Sequence, residues 1–237
     1  MTATKRNKPT IVSHDRWIAA RTKLLKKEKE FTRARDDLAR MRRALPWERV
    51  EKSYAFEGPD GKETLAQLFG GRSQLFVYHF MFAPGDTEGC PICSFWADHY
   101  DGAGLHLPQR DVSFVVVSRA PFAAIERFKQ RMGWRFKWVS SGNSDFNYDL
   151  GVSFTPEQVK RGSVFYNYAT TDFAMPDREG ASVFYRDPGG TVFHTYSSYA
   201  RGIDLLNGTY NVLDLVPKGR DEDPDEPVSW VRHHDRY

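Results

Sequence analysis

A chain of 237 residues that is 40% apolar, 14% aromatic and 27% charged can bury one sizeable globular core, and no stretch approaches the ~20 apolar residues of a membrane span. Its opening run, MTATKRNKPTIVSHDRW, is charged and lacks the apolar segment of a signal peptide, so a cytoplasmic, reducing compartment is expected and a persistent structural disulfide is not. The net charge is only +3, but it is unevenly placed.

Between Arg16 and Arg43 eleven Lys or Arg stand against four Asp or Glu, which leaves the rest of the chain acidic on balance. Trp17, Leu24, Phe31, Leu38 and Leu45 recur at every seventh position of that segment, with Ala20, Ala34 and Met41 beside them. This pattern predicts a long amphipathic helix stopped by Pro46. Lys27 breaks its second apolar row, so the helix is expected to lie on its own domain or on a partner subunit of a homodimer, not in a dedicated coiled coil. Solvated charge is the commoner reading of a basic helix face, and a nucleic-acid partner is not expected.

Beyond Pro46, VEKSYAFEG reads as a strand ending at the turn Gly58-Pro59-Asp60-Gly61, and ETLAQLFGG as a short helix closed by glycine. The apolar run Leu75 to Phe82 follows as a buried strand, and Pro84, Gly85 and Asp86 mark the loop after it. The order continues with a helix from Ser94, a strand (Val112 to Val117), a helix (Pro121 to Met132) and a strand (Phe136 to Val139). Strands alternating with helices indicate a largely parallel sheet covered on both faces. In ASVFYRDPGGTVFHTY two strand-like runs flank Asp187-Pro188-Gly189-Gly190, the signal of a β-hairpin that adds an antiparallel edge. Trp134, Phe136, Trp138, Phe146 and Tyr148 crowd one stretch with Ser140, Ser141 and Asn143, a composition of a core edge or of a ligand pocket. The acidic, proline-rich run Pro217 to Pro227 suits an extended strap or a disordered tail, and His233 and His234 are read as surface residues. The chain is thus divided into a helical extension (1–46), a central domain (47–216) and a C-terminal tail (217–237).

Cys90 and Cys93 are the only cysteines, in the run FAPGDTEGCPICSFW. A loop this short constrains the unfolded chain much less than a long one, so the pair is better explained as a redox dithiol than as a staple. Half a zinc site is the bland alternative, with His79, His99 or His106 as further ligands. The second half of the usual spacing is missing, and no metal or cofactor is expected. Cys90 falls where a buried strand gives way to a helix, with Pro91 at the first helical position. Free backbone N–H groups there favour its thiolate, so Cys90 is the attacking thiol and Cys93, one turn in, the resolving one. The helix terminus contributes about 0.3–1 kcal/mol, whereas Glu88 and Asp86, ~7 Å away, oppose it by about 0.6 kcal/mol. Only a modestly acidified thiol is expected unless tertiary contacts bring in a cation.

A β-α-β unit with CxxC after its first strand, then a strand, a helix and a hairpin, resembles the thioredoxin fold. The whole chain is similar to an uncharacterised bacterial family of thioredoxin-like proteins labelled predicted dithiol-disulfide oxidoreductases, through RRALPWERVEKSYAFEG, QLFVYHFMF, GCPIC, RMGWRFKWVSS, DFNYDLGV and FHTYSSYARGIDLL. The resemblance implies an α/β, three-layer fold, a central mixed sheet with helices on both faces, preceded by the amphipathic helix. It implies thiol–disulfide exchange with a disulfide-containing protein or small thiol substrate and an external reductant. Two departures stand out. Where thioredoxins carry a cis-proline before the hairpin strand, this chain has Glu179-Gly180-Ala181-Ser182, and His79 takes the place of their buried acid. An imidazole there can do the same proton work, although a satisfied core histidine is the commoner reading. Peroxiredoxins supply a rival comparison: Pro84, Thr87 and Cys90 form PxxTxxC, one residue short of their PxxxTxxC. On that reading Thr87 holds a peroxide, Cys90 becomes a sulfenic acid and Cys93 resolves it, with Arg178 the nearest arginine in sequence to the usual place. If the thiols are idle, the chain is a non-catalytic binding or assembly module.

Overall fold

The computed structural model describes residues 9–172 and 175–237, so the first eight residues of the extension lie outside it. The chain separates into two compact units between Leu45 and Pro46.

The first unit is α1 (His14–Arg43), which begins after Ser13 in extended conformation and ends with Arg40, Arg42 and Arg43 in its last turn, where cations complement the helix dipole. Ion pairs Arg21–Glu28 and Lys27–Glu30 run along it. None of its residues is buried, and Trp17, Leu24, Phe31 and Leu38 all remain exposed.

The second unit opens with β1 (Glu48–Arg49), β2 (Ala55–Gly58) and β3 (Gly61–Thr64). Gly61, at φ +93°, makes the turn between β2 and β3, so the predicted strand before Gly58 is half of a hairpin. Thr64 and Gln67 form a reciprocal capping box on α2 (Leu65–Leu68). There follow β4 (Gln74–His79), α3 (Pro91–Ala103), β5 (Val112–Ser118), α4 (Phe122–Arg131) and β6 (Lys137–Ser140). The apolar run read as one strand to Phe82 leaves regular pairing at His79. Its continuation is still tied to β5, by Phe80 N–H to the Val117 carbonyl at 2.9 Å. Residues 141–179 carry three short elements the sequence pattern did not announce: α5 (Phe146–Asp149), α6 (Pro156–Arg161) and the small hairpin β7 (Val164–Tyr166) with β8 (Ala169–Thr171). Last come β9 (Gly180–Arg186), β10 (Val192–Tyr199) and α7 (Gly208–Leu213).

Among the described residues the main sheet has the order β1-β10-β9-β4-β5-β6-β2-β3. β4, β5 and β6 are parallel, and the β9–β10 hairpin adds antiparallel to β4. A β-α-β unit flanked by this hairpin is the thioredoxin-like arrangement. Period-two alternation splits each central strand between two cores. Phe76, Tyr78 and Phe80 meet α3, α4 and α7 on one face, while Leu75 and Val77 meet α2 and Phe146 of α5 on the other. Trp134, Phe136, Trp138 and Phe146 belong to these cores, whereas Tyr148 lines an open pocket of about 510 Å³ with Asp145, Ser153 and Phe154. Helices thus cover both faces, and no described helix is long and apolar enough to cross a membrane.

At His233 the C-terminal segment corrects the sequence reading, while His234 is exposed as read. The segment is packed on the second unit, with Val231 in the core beside α3 and α4, and His233, read as a surface residue, is only 1% exposed. Its anchors are apolar and aromatic: Trp230 meets Phe95 edge-on at 5.3 Å, and His233 meets Phe128 at 5.3 Å. Acidic composition conceals this because three or four such contacts outweigh the polar residues between them.

Candidate active site

The turn from β4 into α3 sets the two cysteines. Cys90 is the N-cap of α3, with Pro91 following, and is partly exposed; Cys93 is buried. Both are free thiols. The Cys90 N–H donates to the Met81 carbonyl at 3.1 Å, and the Met81 N–H donates to Cys93 Sγ at 3.4 Å, so one residue of the incoming chain holds both cysteines. The Ser94 hydroxyl and N–H both donate to the Cys90 carbonyl, at 2.9 and 3.0 Å, and the Tyr78 hydroxyl donates to the Cys93 carbonyl at 3.3 Å.

This geometry makes the sulfurs unequal. The Cys93 thiol donates to Cys90 and lowers the Cys90 pKa below the usual thiol value; burial opposes that, and the N–H groups of Cys93 and Ile92 add to it. Burial, and next the same hydrogen bond, push Cys93 well above that value. The charge of Glu179 raises both thiols as a smaller contribution.

Glu179 was noticed in the sequence only as the residue standing where a proline was expected. Its stretch is fixed on three sides. Asp177 accepts both arms of Arg119 at 2.7 and 2.8 Å, the Arg178 N–H donates to the Val152 carbonyl at 2.8 Å, and the Tyr166 hydroxyl donates to the Glu179 carbonyl at 2.8 Å. The insertion 141–179 therefore delivers a carboxylate to the start of β9, and no local sequence signal announces it.

His79 is a core residue, the commoner of its two readings. Its ring lies on the side of Val77 and Phe146, 5.8 Å from the latter ring, while Tyr78 and Phe80 on the opposite face meet α3 and Cys93. Alternation along β4 thus turns it away from the dithiol. It shares a hydrogen bond with Ser182 Oγ at 2.8 Å, which continues to Ser197 Oγ at 2.8 Å and to His194 Nε2 at 2.7 Å. Burial, and then His194, push its pKa down to about 3, so it is neutral at ordinary pH. Thr87 is exposed in the turn before Gly89.

Glu88, counted above as an opponent of the thiolate, is neutralised. Arg236 donates to it at 2.6 and 2.9 Å and Arg131 at 2.8 Å, which together hold its carboxyl below the usual value. Tertiary contacts do bring in cations, but to Glu88 and Asp235. Gly89 completes the loop: a Cβ there would stand 2.6 Å from the Phe80 ring and 2.7 Å from that of Phe128, so only glycine fits between them.

Residues 6–237 match the model of a family described as bacterial protein of unknown function (DUF899). No curated protein matches the chain. Among solved structures the chain is similar to the peroxidoxin BcpB of Mycobacterium tuberculosis, at 14% identity and TM-score 0.47 over 70% of this chain and 96% of that one. It is similar to peroxiredoxin Q of Xanthomonas campestris at 13% identity and TM-score 0.44, over 68% and 89% of the two chains. A third is a putative thiol:disulfide interchange protein DsbE from Chlorobium tepidum, at 13% identity and TM-score 0.40, over 65% and 86%.

Proposed function

The chain belongs to this bacterial family, and from that premise we propose that Cys90 and Cys93 carry out thiol–disulfide exchange on a disulfide-bearing protein or small molecule. The observation that carries the reading is the asymmetry of the pair: an accessible thiol with lowered pKa at a helix start, hydrogen-bonded to a buried thiol with raised pKa. The Cys90 thiolate attacks one sulfur of the substrate disulfide, the S–S bond breaks and the second substrate sulfur leaves as a thiolate. Cys93 then loses its proton and attacks Cys90 Sγ. This closes the Cys90–Cys93 bond and releases the first substrate sulfur, so two electrons have passed to the substrate. An external dithiol or thiol returns the pair to its reduced form.

The peroxidase alternative asks for a cation at the sulfur and for a hydroxyl that receives peroxide. The groups acting most on Cys90 are Cys93, its own burial, two backbone N–H groups and Glu179, and Thr87 faces solvent. Exchange therefore accounts for more of the site. The test is the Cys93→Ser variant, which should attack but not release, and so accumulate a mixed disulfide that Cys90→Ser does not form. Rapid consumption of one equivalent of hydrogen peroxide by Cys93→Ser, stopping at a sulfenic acid on Cys90, would establish the peroxidase instead. If neither variant differed from the parent in the trapping and peroxide assays, the chain would return to the class of binding or assembly modules.

A further inference from the structure

The peptide group that leads into Cys90 is held at both ends. Its N–H belongs to Cys90 and donates to Met81, as described. Its carbonyl belongs to Gly89 and accepts from His233 Nε2 at 2.8 Å, across 144 positions of sequence. That contact also settles the tautomer of His233. A carbonyl can only accept, so Nε2 carries the proton; Arg131, which can only donate, lies 3.2 Å from Nδ1, so Nδ1 is the bare acceptor. A proton on Nε2 and a lone pair on Nδ1 satisfy both partners at once, with Glu88 Oε2 3.8 Å from Nδ1.

The surroundings fix this bridge. Arg131 is clasped by Asp235 at 2.8 and 2.9 Å and by Glu88 at 2.8 Å, and Arg236 closes on Glu88 from the same segment. His234 adds a bond to Asp98 of α3 at 2.7 Å. The C-terminal segment therefore touches α3, α4 and the loop before Cys90 together.

We propose that His233 is a positioning residue for Cys90, and that residues 231–236 form a built-in strap that orients the nucleophile by pinning the Gly89–Cys90 peptide. With that peptide fixed, Cys90 Sγ is aimed at the N–H groups of Ile92 and Cys93. With the carbonyl released, the loop can rotate about its glycine and the sulfur loses those donors. The proposal rests on Cys90 being the attacking thiol, and it names how that thiol is kept ready.

The test is alkylation of full-length reduced protein by iodoacetamide, followed by mass spectrometry at Cys90 across pH 5 to 10. Groups around the loop that titrate or carry charge are Glu88, Asp235, Arg131, Arg236, His234 and, from the β9 side, Glu179. They are common to the parent and both His233 variants. His233→Phe keeps the ring and removes both nitrogens; its rate at pH 7 should fall about tenfold, with the midpoint of the profile moved upward. His233→Gln keeps a donor toward Gly89 and should stay within about threefold of the parent. Should His233→Phe fail to fold, the half-exposed Arg236→Gln decides, with an expected fall of about threefold. Unchanged rate and midpoint in His233→Phe, equal falls in the Phe and Gln variants, or an unchanged Arg236→Gln where it decides, would overturn the proposal. Alkylation needs no substrate, so the readout is separate from the mixed-disulfide trap: a failed trap with slowed alkylation removes the exchange reading alone, and the reverse removes only the strap.

Discussion

Glu179 brings a negative charge to a pair of thiols, one of which must ionise to act, and so it works against the helix start that favours the Cys90 thiolate. Its replacement by Gln should lower the pKa of both cysteines. Cys90 should then alkylate about two- to threefold faster at neutral pH, with its profile shifted to lower pH, and iodoacetamide kinetics would show it. An unshifted profile would mean the carboxylate is too well solvated to matter. The placement of the cysteines at a helix start was legible in the sequence because strand, breaker and helix signals converge within twenty residues. Glu179 was not, since its approach depends on Asp177, Arg119 and Tyr166, which local pattern does not link.

At the scale of elements, the β4–α3 connection needs a residue without a side chain where it enters α3. Gly89 is buried between the rings of Phe80 and Phe128, and a methyl group there forces one of them to move. Gly89→Ala should lower stability by about 1–3 kcal/mol in urea unfolding and slow Cys90 alkylation, because ring displacement and loop displacement are one event. Normal stability with a normal alkylation rate would show the rings to be freely adjustable. The β-α-β unit and the β9–β10 hairpin could be read from period, turn residues and β-branched runs. The β7–β8 hairpin could not: its turn residues, Asn167 and Tyr168, both have positive φ, and Tyr168 is held there by its hydroxyl bond to the Ser197 carbonyl at 3.1 Å rather than by any glycine. The burial of His233 was hidden by the opposite error, in which neighbouring acidic and proline-rich composition outvoted a few anchors, Trp230, Val231 and His233 itself.

For the whole molecule, the buried His79 couples folding to acidity. Its pKa in the folded chain, about 3, lies below the ordinary value near 6.5. Between those values the unfolded chain binds the proton and the folded chain does not, so this contribution is complete above pH 6.5 and is lost as pH falls toward 3. The slope from one such group reaches about 1.4 kcal/mol per pH unit. Urea unfolding between pH 4 and 7 should therefore show a shallower pH dependence in His79→Gln than in the parent; identical slopes would place the effect on other groups. The same long-range architecture has a consequence in time. A ribosome makes the Cys90 loop 144 positions before the histidine that binds it, an interval on the order of ten seconds at ordinary elongation rates. For most of that interval the β9–β10 hairpin is also unmade, and a thiol pair without its strap is a slack nucleophile. In the nascent chain, then, the Cys90 loop spends that interval without the contact that holds it in the folded protein.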